Sequence, residues 1–404
     1  MKQALQSLDG RRGNFVIARR VLEWQEVAFL FDQEDRQYME RALALAQRGA
    51  GHTRPNPMVG AVLVKEGRII GEGWHGHFGG PHAEVEAFRS CTEDPVGATL
   101  YVTLEPCAHY GKTPPCADLV VRKKVGRVVA AMVDPNPLVA GKGIEKIRHA
   151  GIPVEVGLME PEARRLNEVF LKYVTEKKPF VLYKAAMSLD GKTACRTGDS
   201  QWISSETSRK AARRLRGLYA GIMTGIGTIL ADDPRLTART EGLNDPVRII
   251  ADSHLRIPLA AKVLHEPGRV ILLTTSAAEA EKKEALLAMG AEVITAGGPD
   301  GEVDLPQAMT ELARRGIDGI LLEGGATLAG AALSAGILDK VLFYAAPLLI
   351  GGAGAPSPFG GTGAASLQAA WPLTELTVSK SDADLAITAY IDKEGPCSQA
   401  SLKK

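Results

Sequence analysis

What most restricts the fold of this chain is an alternation, repeated twice, between short apolar runs and helical segments. In the first half, Gln33–Arg48 sets Met39, Leu43 and Ala46 on one side of a helix, with charges elsewhere. The runs Met58–Val64 and Arg68–Trp74, joined by a turn at Gly67, predict two strands. Pro81 suits a first helical position and opens a helix over His82–Arg89. Strands over Thr99–Leu104, Arg127–Met132 and Pro153–Val156 alternate with helices over Ala117–Lys124 and Gly141–Ala150. A charged helical stretch, Glu160–Lys178, stops at Pro179, and a second alternation begins. Its expected strands are Phe180–Met187, Gly221–Thr224, Val247–Ala251, Val270–Leu273, Glu292–Thr295, Gly319–Leu322 and Lys340–Tyr344. Helices are expected near Ser205–Leu215, Ala277–Met289 and Pro306–Arg314, and a final strand pair over Leu373–Ser379 and Leu385–Ile391. Such alternation predicts α/β layers, and 404 residues exceed what one hydrophobic core supports. The expected organisation is an extension over residues 1–34, a first domain over 35–176, a second over 177–393 and a polar tail over 394–404.

Charge narrows the partners. With 48 basic and 47 acidic residues the formal net charge is +1, so nothing favours a polyanion and a small-molecule substrate is expected, with no nucleic acid. No run reaches the 18 or so apolar residues of a membrane span. Five cysteines without framework spacing argue against a disulfide scaffold, and a cytoplasmic setting is expected.

Chemistry concentrates in His82-Ala83-Glu84, Glu105-Pro106-Cys107 and Pro114-Pro115-Cys116. Catalytic zinc takes three protein ligands and keeps a position open for water, and one His with two Cys is such a set. Each candidate ligand is expected where a helix starts, where N–H groups and the dipole favour a thiolate. Taken singly, each has a bland reading as a cap or a small buried residue. The ordered combination matches the zinc deaminase signature, with His82, Cys107 and Cys116 as ligands and Glu84 off the metal as proton shuttle. One departure is the eight-residue spacer Ala108–Pro115, where the signature has two residues. Its His109 and Lys112 suit an anionic substrate such as a sugar phosphate, or simply a solvated loop.

In the second half, Gly225-x-Gly227 and Glu323-Gly324-Gly325 follow strands and precede helices. Such loops let a ligand approach the backbone at a helix N-terminus, although the G-x-G-x-x-G spacing is absent.

These residues, with Arg54-Pro55-Asn56-Pro57-Met58-Val59-Gly60, Asp134-Pro135-Asn136-Pro137 and Asp232-Asp233-Pro234-Arg235-Leu236-Thr237, resemble the RibD family of bifunctional riboflavin-biosynthesis enzymes. The resemblance runs from about residue 35 to about residue 392. It implies a cytidine-deaminase-like three-layer domain followed by a dihydrofolate-reductase-like α/β domain, using Zn2+ and NADPH, in a homo-oligomer. It implies substrate contacts in the first domain at Asn56, His75, His109 and Lys112. In the second it implies NADPH contacts at Ala186, Trp202, Thr228, Asp232, Ser253, Gly324 and Gly325. Ser200, Arg216, Leu236, Arg239 and Glu323 are implied to face substrate. Asp232 is the candidate for proton transfer during reduction, or else a turn residue, since Asp-Asp-Pro is turn chemistry. The competing readings are a nucleic-acid or nucleoside base deaminase carrying an appended reductase-like domain, and a binding module on a decayed deaminase fold.

Overall fold

The computed structural model describes residues 31–110, 114–136, 139–297 and 301–393. Lys112, most of the N-terminal extension and the polar tail lie outside them. The chain forms two compact units that divide between Glu168 and Val169.

In the first unit, β1 (Gly60–Lys65), β2 (Arg68–Trp74), β3 (Thr99–Val102), β4 (Arg127–Ala130) and β5 (Val154–Val156) form one sheet in the order β2-β1-β3-β4-β5. Strand β1 is antiparallel to β2 and β3, and β3, β4 and β5 are parallel. Ala61, Leu63, Leu100, Val102 and Val128 pack against Ala83, Ala87, Val120 and Ile147 of the helices on one face. The helix Gln33–Ala46 packs against β1 and β2. Val62 and Val64 are buried as well, so β1 is covered on both faces. That is why it reads as a continuous apolar run and why the domain has three layers. A Cβ on Gly73 would stand 2.3 Å from the Ala83 carbonyl oxygen, so the helix Ala83–Arg89 lies directly on β2.

The sequence reads Glu160–Lys178 as one helix, but the structure breaks it into Glu160–Leu166 and Glu168–Glu176. The cause is Asn167, whose buried side chain accepts from the Met58 N–H at 2.8 Å and donates to the Met58 carbonyl at 2.9 Å. A pairing across more than a hundred residues leaves no trace in local periodicity.

The second unit contains β6 (Phe180–Ser188), β7 (Gly221–Gly225), β8 (Val247–Ala251), β9 (Val270–Thr274), β10 (Glu292–Thr295), β11 (Gly319–Leu322), β12 (Lys340–Ala346), β13 (Leu373–Ser381) and β14 (Asp384–Ile391). Their order is β10-β9-β8-β7-β11-β6-β12-β14-β13. The strands from β10 to β12 are parallel, and β14 and β13 add antiparallel. From β7 the chain runs outward to β10 and then returns to insert β11 between β7 and β6. Such a reversal opens a crevice at the carboxyl ends of β7 and β11, where open α/β sheets hold their ligands. Val181, Ile320 and Leu322 face one core, and Leu182 and Leu321 face another with Phe180 and Tyr219. At the far edge, β13 is exposed along nearly its whole length, Leu376 and Val378 included. No described helix is long and apolar enough to cross a membrane.

Candidate active sites

His82 is the N-cap residue of the helix Ala83–Arg89, and Cys116 begins the helix Cys116–Arg122. Cys107 does not start a helix, contrary to the sequence expectation. It sits on the irregular segment after β3 and takes its stabilising amide from elsewhere: the Cys116 N–H points at its Sγ from 3.3 Å. His82 Nδ1 lies 3.6 Å from Cys107 Sγ and 3.3 Å from Cys116 Sγ. A tetrahedral zinc with bonds of about 2.0–2.3 Å spaces its ligand atoms by roughly 3.3–3.8 Å. The three side chains therefore fit the ion, and they are the one His/Cys/Asp/Glu group of this kind among the described residues. The Cys107 thiol is held well below its ordinary range, first by the hydrogen bond from Cys116 and then, against burial, by His82. Glu84, in the first turn of that helix, is only 3% exposed. Burial first, and the nearby Cys107 thiolate second, push its carboxyl up to about 7.

Glu105 anchors this arrangement. Its buried carboxylate accepts from the N–H groups of Asp134 and Gly141 on one oxygen and of Gly143 and Ile144 on the other. A Cβ on Gly143 would stand 1.8 Å from the Pro106 carbonyl oxygen, so the helix Lys142–His149 begins hard against the Cys107 segment.

Of the other residues expected here, Asn56 and His75 lie side by side, with Asn56 Nδ2 3.2 Å from His75 Nε2. His109 is exposed and close enough to Asp134 to favour its ionised form, although burial has the larger, opposite effect there. Lys112 lies outside the described residues.

The second unit holds a cavity of about 1260 Å³, larger than the ~300–1,000 Å³ typical of one small ligand. Its wall includes Ala186, Trp202, Thr228, Asp232 and Ser253, together with the Gly324-Gly325 loop at the carboxyl end of β11. Ser200, Arg216, Leu236 and Glu323 line it too, whereas Arg239 does not. A Cβ on Gly227, also on the wall, would meet nothing within 4 Å, which leaves room for an occupant to reach the backbone. The Gly325 N–H is 3.2 Å from Thr228 Oγ1, tying the two glycine loops together. Arg216 grips Glu323, with Nη2 2.6 Å from Oε2. Burial alone would raise the Glu323 carboxyl, but the cations of Lys184 and Arg216 outweigh it and hold the carboxyl low.

Among the wall residues that escaped the sequence reading are Lys184, His254 and Arg256. The first had a signal, since Lys184 is the lone charge in the apolar strand β6. The other two follow Ser253 in an irregular segment without pattern.

Two family models match the chain: the cytidine and deoxycytidylate deaminase zinc-binding region over residues 32–132, and the RibD C-terminal domain over residues 179–385. The riboflavin biosynthesis protein RibD of Bacillus amyloliquefaciens is 44% identical over 360 residues, covering 89% of this chain and 96% of that one. RibD of Escherichia coli (strain K12) is 43% identical over 331 residues, covering 79% and 89%. Among solved structures, Acinetobacter baumannii RibD superposes with a TM-score of 0.80 at 38% identity, covering 89% of this chain and 99% of that one. A diaminohydroxyphosphoribosylaminopyrimidine deaminase/5-amino-6-(5-phosphoribosylamino)uracil reductase from Thermotoga maritima gives 0.78 at 37% identity, with the same coverage.

Proposed function

The chain belongs to the RibD family, a bifunctional riboflavin-biosynthesis enzyme with a zinc-binding deaminase domain and a reductase domain, and we propose which of its residues run each reaction. The first substrate is 2,5-diamino-6-ribosylamino-4(3H)-pyrimidinone 5′-phosphate, and its deaminated product is the second.

For deamination, His82, Cys107 and Cys116 would hold the metal. Bound there, zinc supplies a nucleophilic oxygen from water at neutral pH. Glu84 takes the proton from the attacking water and passes protons to the departing amine, so that water adds to C2 and ammonia leaves. The convergence of the three ligand atoms around Glu84 carries this reading. Asn56 faces the pyrimidine and His109 the phosphate, with Lys112 as a second phosphate contact.

For reduction, NADPH supplies a hydride. That hydride would serve C1′ of the open-chain imine, and Asp232 on the cavity wall is our candidate to give the imine nitrogen its proton. Lys184, Arg216 and Glu323 form a charged set on the wall suited to the substrate. Ser253, His254 and Arg256 cluster at the carboxyl end of β8, where an imidazole, the Arg256 guanidinium and a hydroxyl that now bonds the Glu302 carboxylate could turn to an adenosine 2′-phosphate. This favours NADPH over NADH. The outer strand β13, at the sheet edge among the described residues and exposing Leu373, Leu376 and Val378, suits a second copy of the chain, hence a homo-oligomer. A cytoplasmic setting suits the four free cysteines among the described residues, and the near-zero net charge suits a free sugar phosphate over nucleic acid. The two activities are assigned to residues 35–176 and 177–393.

A coupled assay tests the division. Ammonia release should fall by about 10²–10⁴-fold in Glu84→Gln and disappear on chelation, while NADPH oxidation on pre-deaminated substrate persists. Joint loss of both activities would overturn the assignment.

A further inference from the structure

We infer that His75 is a positioning residue: it fixes which way the Asn56 amide faces, and thereby the donor and acceptor pattern that the deaminase site offers to its pyrimidine. His75 is 3% exposed, so it has almost no surface left for a ligand. Both ring nitrogens are engaged. Nδ1 lies 2.9 Å from the Pro81 carbonyl oxygen, which can only accept, so Nδ1 carries the hydrogen. Nε2 of the neutral ring is then a bare acceptor, and Asn56 Nδ2 stands 3.2 Å from it. A reversed amide would aim its oxygen at that lone pair and leave both without a hydrogen.

Asn56 is left with its carbonyl oxygen and one N–H in a set order. That pair matches a lactam edge, a ring N–H beside a carbonyl, and mismatches an edge in which the order is reversed. The orientation is also tied to the metal-binding segment, because Pro81 directly precedes His82 and the His75 and His82 rings stand edge to face at 5.7 Å. The His75 N–H donates to the Val59 carbonyl at 2.9 Å, which fixes the backbone from which the ring projects.

This inference rests on Asn56 facing the pyrimidine, and the experiment separates the two claims. KM and kcat for ammonia release from the diaminopyrimidine phosphate are measured for Asn56→Ala, His75→Phe, the double variant and His75→Gln. Zinc content and NADPH oxidation report on integrity. Asn56→Ala should raise KM about tenfold or more, because it removes both the acceptor and the donor offered to the lactam edge, with kcat changed less. His75→Phe should raise it equally, and the double variant no further, because both changes remove one interaction. His75→Gln, which can donate to Pro81 and accept from Asn56, should restore most of the loss. An unchanged KM in Asn56→Ala would remove the reading of Asn56 and the inference with it. A raised KM in Asn56→Ala but not in His75→Phe would leave that reading standing and overturn the inference alone. Additive losses in the double variant, or zinc missing from His75→Phe, would likewise overturn it, since His75 would then act independently of Asn56.

Discussion

Replacing Glu105 by Gln changes almost nothing in volume and a great deal in hydrogen bonding. One carboxylate oxygen accepts from Asp134 and Gly141 at 3.1 and 2.9 Å, the other from Gly143 and Ile144 at 2.8 and 3.3 Å. The last two N–H groups lie in the first turn of the helix Lys142–His149, where amides have no partner within the helix. In Glu105→Gln one oxygen becomes an NH2, which turns hydrogens toward two N–H groups. Two bonds are lost outright, and the other two drop from charge-assisted to neutral. At about 1.5–3 kcal/mol for each bond to a charged acceptor, and with incomplete additivity, the cost is about 3–5 kcal/mol. That is a large share of the ~5–15 kcal/mol that holds an ordinary domain together. Glu105→Ala should cost no more, because water can enter the space and serve the amides. Urea unfolding of the deaminase unit followed by circular dichroism, with zinc content measured in parallel, gives the comparison. Zinc should bind more weakly in Glu105→Gln, because the Cys107 segment loses its anchor, while NADPH oxidation stays unchanged. A Glu105→Gln protein within about 0.5 kcal/mol of the parent would refute the reasoning, as that is the scatter of ordinary surface substitutions.

Two further outcomes concern the reductase. Arg256→Ala should weaken NADPH by about tenfold or more and leave NADH nearly unaffected, the loss expected of one charge-assisted contact; equal losses for both nucleotides in a binding titration would remove Arg256 from the 2′-phosphate. Glu323 is held below its ordinary value of 4.5, since Lys184 and Arg216 outweigh burial. A depressed folded-state pKa means that its stabilisation is present above that pH and lost as the pH falls below it. The stability gap between the parent and Glu323→Gln should therefore hold above the ordinary value of 4.5 and shrink as the pH falls below it, and a constant gap in acid unfolding curves would contradict the ion-pair account.

Much of this fold was legible because its strands are short, apolar and punctuated. Arg68–Trp74, Val247–Ala251, Glu292–Thr295 and Gly319–Leu322 have the same limits in sequence and structure. The candidate metal site was legible for a chemical reason: few residue types bind zinc, and the deaminase signature sets a carboxylate beside them. What escaped depends on distant partners. The break at Asn167 comes from Met58, and the anchoring role of Glu105 comes from four amides at residues 134–144. The amide delivered to Cys107 by Cys116 crosses a nine-residue interval whose geometry no periodicity encodes. The sequence presents Asn56 and His75 as two separate contacts, whereas the structure joins them in one hydrogen-bonded pair.

The insertion of β11 between β7 and β6 has a consequence for synthesis. A ribosome releases the first unit whole before residue 180 emerges, and all five of its strands are then available to fold. The reductase sheet must wait. Until residues 319–346 appear, β6 and β7 face a gap where their shared neighbour belongs, and the sheet is two pieces instead of one. Chains that stop before residue 319 should thus carry a complete deaminase beside unpaired strand edges, the kind of surface that recruits chaperones.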